Sequence, residues 1–230
     1  RLGRSMELGM TISSAVPSIQ ATVPGAVQMD LMNAGMLDDP NYGLDSLKGE
    51  WVNSREWIYE KVFTIPQDLD VERLVLCFDG LDYAGEIFLN KIKIGEFSGM
   101  FIPIEIDITG SVDRTGKNYL EVVFYQTPEV DGQIGYSNMI RMLKSRFNYS
   151  WDWCPRIIPV GIWEDVHIKA YNHARIADFY PGTKVEDDGI CKIIVEAEVE
   201  AAVSGEYEFD YGVKFNEREV FKKTDKVKLL

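Results

Sequence analysis

The sequence predicts an all-β protein: a jelly-roll type β-sandwich over residues 1–170, then the opening of a second, smaller immunoglobulin-type sandwich over residues 171–230. Three observations carry this. Apolar and polar residues alternate at period two in many short segments. Asp, Asn and Gly punctuate those segments at short intervals. The alternating β/α blocks that build barrels and dinucleotide folds are missing.

The elements follow in order. Ala26 to Ala34 comes after Pro24-Gly25 and places Val27, Leu31 and Ala34 at helical spacing. Trp57 to Ile65 alternates as a strand until Pro66 stops it. Leu74 to Phe78 is a short apolar strand closed by Asp79-Gly80. Glu86 to Leu89 and Ile92 to Gly95 flank Asn90-Lys91, a tight hairpin signal. Ile102 to Ile108 and Leu120 to Tyr125 read as further strands. Ile134 to Phe147 reads as a helix around Met139, Met142 and Leu143, inside a long connection of the kind that often carries function. Arg156 to Ala170 contains an extended stretch centred on Val166-His167-Ile168.

Near Tyr171 the pattern changes to clean period-two strands at Ile193–Val199, Tyr207–Phe215 and Val220–Leu230, with turns at Asp187-Asp188-Gly189 and Ser204-Gly205. Sixty residues are fewer than the roughly 100 of a complete immunoglobulin-type sandwich. The second domain is therefore expected to be truncated, with an edge that needs another segment to cover it.

The chain has 230 residues, 46% of them apolar, which suffices for one large core or for one large and one small. A formal net charge of −13 argues against nucleic acid and against an anionic membrane surface as partners. No run of 18 apolar residues occurs, and the first residues carry no apolar signal core, although a removed leader stays open because the chain does not begin with Met. Compartment is left unassigned. Cys77, Cys154 and Cys191 are odd in number and widely spaced, and His167 and His173 are the only histidines. No metal-ligand spacing results, so no metal and no organic cofactor is expected.

The segment richest in chemistry is Trp151-Asp152-Trp153, with Arg146 and Asn148 upstream and Cys154-Pro155-Arg156 downstream. Indole faces stack on the C–H faces of sugars, and a carboxylate accepts hydrogen bonds from paired hydroxyls, so the tripeptide has the makings of a carbohydrate subsite. The alternative is two core tryptophans around a turn or cap carboxylate.

Several stretches, in order, resemble the N-terminal portion of glycoside hydrolase family 2, and within it the β-mannosidase branch. Val23-Pro24-Gly25-Ala26-Val27-Gln28-Met29-Asp30-Leu31 is similar to the family's VPG-x-V-x-x-DL opening segment. Asp39-Pro40-Asn41-Tyr42-Gly43, Trp51 and Trp57-Ile58-Tyr59 continue it. Phe78-Asp79-Gly80-Leu81-Asp82-Tyr83-Ala84, Ile87-Phe88-Leu89-Asn90 with Gly95, and Met100-Phe101 follow. Trp151-Asp152-Trp153-x-Pro155-Arg156 and Gly161-Ile162-Trp163 resemble the family's WDWGPR and GIW. The likeness is strong over residues 20–170 and weak beyond.

The resemblance implies a galactose-binding-like jelly roll, then an immunoglobulin-like sandwich, then a (β/α)₈ barrel holding two catalytic glutamates of a retaining mechanism. The chain stops before any barrel, so it is expected to lack the catalytic pair and not to hydrolyse glycosides alone. Its partners would be a carbohydrate, a terminal β-mannoside or related glycoside, and a downstream barrel of the same parent chain. A stand-alone carbohydrate-binding module and a ligand-free interaction scaffold are the alternatives.

By position, Asp152 would contact sugar hydroxyls and Trp151 would supply a stacking or packing wall. Trp153 would first be core support and second a sugar contact. Arg146 and Asn148 would be possible sugar donors, with Arg146 equally placed to pair with Asp152. The family's Gly after the second Trp is Cys154 here, its Gly before the first is Ser150, and its upstream Gln and His correspond to Arg146 and Asn148. Asn216-Glu217 has the Asn-Glu sequence of the family's acid/base site, but its charged setting (Asn216-Glu217-Arg218-Glu219) reads as a solvated turn.

Overall fold

The structure, a computed structural model, describes residues 4–7, 11–14, 16–131 and 141–229. Strands dominate. The chain divides into two compact units, residues 1–69 with 75–169 and residues 70–74 with 170–230.

In the first unit, β1 (Arg4–Glu7) and β2 (Thr11–Ser14) form an antiparallel ribbon. Helix α1 (Val27–Asn33) buries Val27 and Leu31 completely. It stops where Gly35 takes φ +68, while Met36 N–H donates to Leu31 O and Gly35 N–H to Met32 O. This is the double bond that closes a helix on a left-handed glycine. The short helix α2 (Asp45–Lys48) and a 3₁₀ turn (Glu50–Ser54) lead into the sandwich.

One sheet has the order β3 (Trp57–Phe63), β9 (Asn118–Phe124), β6 (Ala84–Leu89), β7 (Ile92–Ser98), all antiparallel. The second has the order β13 (Val166–Tyr171), β4 (Arg73–Phe78), β8 (Ile104–Asp107). A short pair, β5 (Leu81–Asp82) with β12 (Gly161–Ile162), adjoins them. Trp57, Ile87, Leu89, Phe124 and Phe78 are fully buried and fill one core. Phe124 meets Tyr59 and Phe97 edge-on, at ring-centroid distances of 5.6 and 5.2 Å. Strand β6 shows why period two is legible, since Gly85, Ile87 and Leu89 face in and Ala84, Glu86 and Phe88 do not. Asn90 and Lys91 take φ 52 and 72, so the hairpin turn is of the primed type that matches strand twist.

The sequence motifs at the two ends of this unit meet. Gly25 N–H donates to Ile162 O at 2.7 Å and Val27 N–H to Val160 O at 2.8 Å. A Cβ on Gly161 would lie 2.7 Å from the Tyr59 hydroxyl and 3.1 Å from Ala26 Cα. The VPG and GIW stretches are thus a joint between distant segments.

The expected helix over 134–147 needs correction. Residues 134–140 lie outside the described residues, and 141–147 are not α-helical; only a 3₁₀ turn (Arg146–Asn148) forms. Met100 N–H donates to Leu143 O and Ser145 N–H to Met100 Sδ, which hold this stretch to a loop rather than to itself.

The second unit contains two antiparallel ribbons, β14 (Ala174–Val185) with β15 (Cys191–Ala201) and β16 (Gly205–Phe215) with β17 (Arg218–Leu229). Along β16, Tyr207, Phe209, Tyr211 and Val213 alternate with exposed Glu206, Glu208, Asp210 and Gly212. Apolar faces of both ribbons, including Ile176, Val195, Val199, Phe209, Tyr211 and Val227, line a groove of about 980 Å³. The cysteines are free thiols: Cys77 is buried, Cys154 half-buried and Cys191 exposed.

Candidate functional site

The Trp-Asp-Trp stretch is a hairpin. β10 (Tyr149–Trp151) pairs with β11 (Cys154–Arg156), with Tyr149 opposite Arg156 and Trp151 opposite Cys154. Asp152 and Trp153 are therefore the two residues of the turn. Tyr149, 1% exposed, roots the hairpin in the core, and the Arg156 guanidinium lies 5.9 Å from its ring centroid. Arg156 also reaches Asn53 Oδ1 at 3.5 Å and donates to Glu129 O at 3.2 Å, which ties the returning strand to the 3₁₀ turn at 50–54. The Ile157 N–H donates to Asn148 O at 3.0 Å and extends the ladder below Tyr149.

At the tip, Trp151 is 40% and Trp153 is 75% exposed, with ring centroids 5.6 Å apart. Asp152 is exposed and makes no hydrogen bond or ion pair among the described residues. The expectation that Trp153 is core support is corrected: as the second residue of a two-residue turn it projects beyond the ladder, out of reach of the core. Asp152 stands in the turn with its side chain open to solvent.

Arg146 is exposed and Asn148 half-buried in the 3₁₀ turn before β10. No ion pair joins Arg146 to Asp152 among the described residues; the Arg146 charge acts on Asp131. The structure thus groups Trp151, Asp152 and Trp153 at the tip and leaves Arg146 and Asn148 at the foot of the same segment. The two departures from the family pattern behave differently. Cys154 fits the ladder, and its thiol lies 3.2 Å from Phe147 O. Ser150 takes φ 90, a left-handed conformation that a glycine adopts without strain.

Beneath the hairpin lies a pair that sequence reasoning missed. Lys144 Nζ donates to Asp82 Oδ1 and, at 2.8 Å, to Pro159 O. The two side chains are 0% and 2% exposed. Burial lowers the Lys144 pKa and raises that of Asp82, and each charge opposes the shift of its partner. Burial likewise raises Asp131, against the opposing charges of Arg146 and Lys144. The sequence offers each residue singly, Asp82 inside the Phe78–Ala84 motif and Lys144 after Met142-Leu143, but nothing local joins them.

Asn216 and Glu217 form the two-residue turn between β16 and β17 with φ 46 and 64, exposed to solvent as expected. Among the described residues there is no cluster of three metal-ligating side chains, and no helix is long and apolar enough to cross a membrane.

The first unit has the layered strands of a β-sandwich, and two antiparallel ribbons follow it in sequence. The profile of the glycosyl hydrolase 2 galactose-binding domain-like family matches residues 9–164, and the chain belongs to that family. It is 33% identical over 198 residues to beta-mannosidase B of Emericella nidulans, covering 80% of this chain and 23% of that protein. It is 34% identical over 179 residues to the beta-mannosidase of Mus musculus, covering 69% and 20%. The crystal structure of the beta-D-mannosidase from Dictyoglomus thermophilum superposes with a TM-score of 0.77 at 27% identity, over 99% of this chain and 28% of that one. The chain spans about a quarter of the length of these relatives.

Proposed function

We propose that the chain is the N-terminal, non-catalytic portion of a longer β-mannosidase-like exo-glycosidase, with residues 171–230 beginning its immunoglobulin-like domain. In this reading the Trp151–Trp153 turn forms one wall of the subsite for the terminal non-reducing sugar, and a barrel further along the same polypeptide supplies the two glutamates of a retaining mechanism. The observation that carries the proposal is an unpaired, exposed carboxylate at a hairpin tip between two exposed indoles. Likeness to beta-mannosidases over 80% of the chain supports the substrate class.

Asp152 accepts hydrogen bonds from sugar hydroxyls, and Trp151 offers its ring as a wall. Trp153, at 75% exposure, is free to be a second aromatic surface. Arg146 and Asn148 supply donors at the hairpin's foot. One wall leaves most of a sugar in water, so residues 1–230 alone bind mannose weakly or not at all.

The exposure of both indoles also favours a second reading, a stand-alone carbohydrate-binding module. One experiment separates them: assay the full-length polypeptide and residues 1–230 with an aryl β-mannoside, and titrate residues 1–230 with mannose. Hydrolysis by the full-length polypeptide only, with no saturable titration, is the expected result. No hydrolysis by either, with saturable mannose binding by residues 1–230, would replace the enzyme reading with the module.

A further inference from the structure

The Trp-Asp-Trp hairpin leaves the body of the first unit at Lys144 and returns at Pro159. These two residues are joined directly, because Lys144 Nζ donates to Pro159 O at 2.8 Å. The fourteen residues between them form a loop closed at its neck by one ammonium group. Further contacts succeed one another from neck to tip: Ile157 to Asn148, Tyr149 opposite Arg156, Trp151 opposite Cys154. The same ammonium binds Asp82 in β5, and β5 pairs with β12 so that Asp82 lies opposite Gly161, two residues after Pro159. Both ends of the loop are therefore referred to one carboxylate on one strand.

We propose that Lys144 and Asp82 are positioning residues that hold the Trp151–Trp153 turn in place; their part in sugar contact rests on the function proposed above. Three features favour positioning over mere stability. A lysine has the reach and the multiple donors to bind a carboxylate and a carbonyl on separate segments at once. The pair is fully enclosed, where a salt bridge is weak evidence of net stability and its best-attested use is to fix one arrangement among several. The second Asp82 oxygen has no hydrogen-bond partner among the described residues, so the carboxylate is held for one specific contact rather than saturated with bonds.

Asp82→Leu/Lys144→Met is the key variant, because an apolar pair of similar bulk keeps the core filled while removing the clamp on Pro159. Lys144→Met alone is the second variant. In residues 1–230, hydrogen exchange reads the amides of Trp151 and Cys154 against those of Leu76 and Ile87. The expected result for the double variant is exchange at least about tenfold faster in the hairpin, with the sheet amides unchanged. The near-UV circular dichroism of the Trp151–Trp153 pair weakens in parallel. Unchanged hairpin protection in the folded double variant would overturn the proposal, even if Lys144→Met alone failed to fold.

In the full-length polypeptide, the double variant lowers kcat/KM on an aryl β-mannoside. Adding Asp152→Ala to it costs far less than Asp152→Ala costs in the wild type, because a displaced carboxylate has little left to lose. Full additivity of the two changes would contradict positioning. A loosened hairpin together with an Asp152→Ala variant of unaltered kcat/KM supports the clamp and instead rejects the sugar-contact reading of the turn.

Discussion

Trp151 and Cys154 face each other as the last pair of the β10–β11 ladder, and this register alone puts Asp152 at the turn. Shifting the register by one residue would send the carboxylate to the opposite face. The chemistry of the tip therefore depends on what fixes the strands below it, and the predictions concern those supports.

Ser150, with φ 90, occupies a conformation that costs a side-chain-bearing residue about 1–2 kcal/mol. Ser150→Gly should relieve it, with part of the gain offset by the greater chain entropy of glycine in the unfolded state. The expected net change is a stabilisation of about 0.5–1 kcal/mol, read as a higher denaturation midpoint at constant m-value. A loss of stability would show that the Ser150 side chain contributes more than its backbone costs.

Removing one member of the buried pair strands the other. Lys144→Met leaves the Asp82 carboxylate unpaired in a dry site and should destabilise by about 3–5 kcal/mol. Asp82→Leu/Lys144→Met should recover most of that loss. Thermal unfolding of the three proteins checks the ordering, in which the single variant is the least stable.

Asp113 closes the loop between β8 and β9. Its Oδ1 accepts from Thr115 N–H, Thr115 Oγ1 and Gly116 N–H at 2.8 to 2.9 Å, which lowers its pKa below the ordinary 3.8. A carboxyl with a depressed folded-state pKa contributes stability above its unfolded value and loses it as pH falls through the folded one. The difference in Tm between wild type and Asp113→Asn should thus be widest well above pH 3.8 and shrink below it. A gap that stays constant from neutral to acidic pH would contradict the assignment.

Gly85 has no room for a methyl group, since a Cβ there would sit 1.8 Å from Val123 O in the neighbouring strand β9. Backbone on a central ladder cannot yield, so Gly85→Ala should destabilise the first unit by several kcal/mol, beyond the 1–3 kcal/mol of ordinary overpacking. Far-ultraviolet circular dichroism during a urea titration measures this directly.

Much of the fold was legible because sheet physics writes itself locally. Alternation in β6 and β16, and the Asn90-Lys91 turn, need only neighbours in sequence. Strand β14 was harder to see because Pro181-Gly182 lies inside it; among the described residues the strand pairs on one side only, with β15, and an edge tolerates them. Of the helix expected over Ile134–Phe147, the described part, 141–147, misled for the opposite reason. There, Met100 engages Leu143 and Ser145 where an α-helix would bond to itself, and such a contact has no local signature. At the site, the tripeptide marked the segment but not the exposure of Trp153, which follows from its place in a two-residue turn, and the anchor of the hairpin did not show as a pair. Asp82 and Lys144 are 62 residues apart, and their pairing exists only once β5 and β12 have brought Pro159 beside them.

The central claim is that Asp152 touches the sugar. In the full-length polypeptide, kcat/KM of Asp152→Ala on an aryl β-mannoside is the measurement that tests it most directly. Loss of a hydrogen bond to a charged group is worth about 1.5–3 kcal/mol, so a fall of roughly 10- to 100-fold is predicted, with Tm unchanged because the wild-type carboxylate is exposed and unpaired among the described residues. A variant with wild-type kcat/KM would contradict the account and leave the turn a solvent-exposed loop with no part in the reaction.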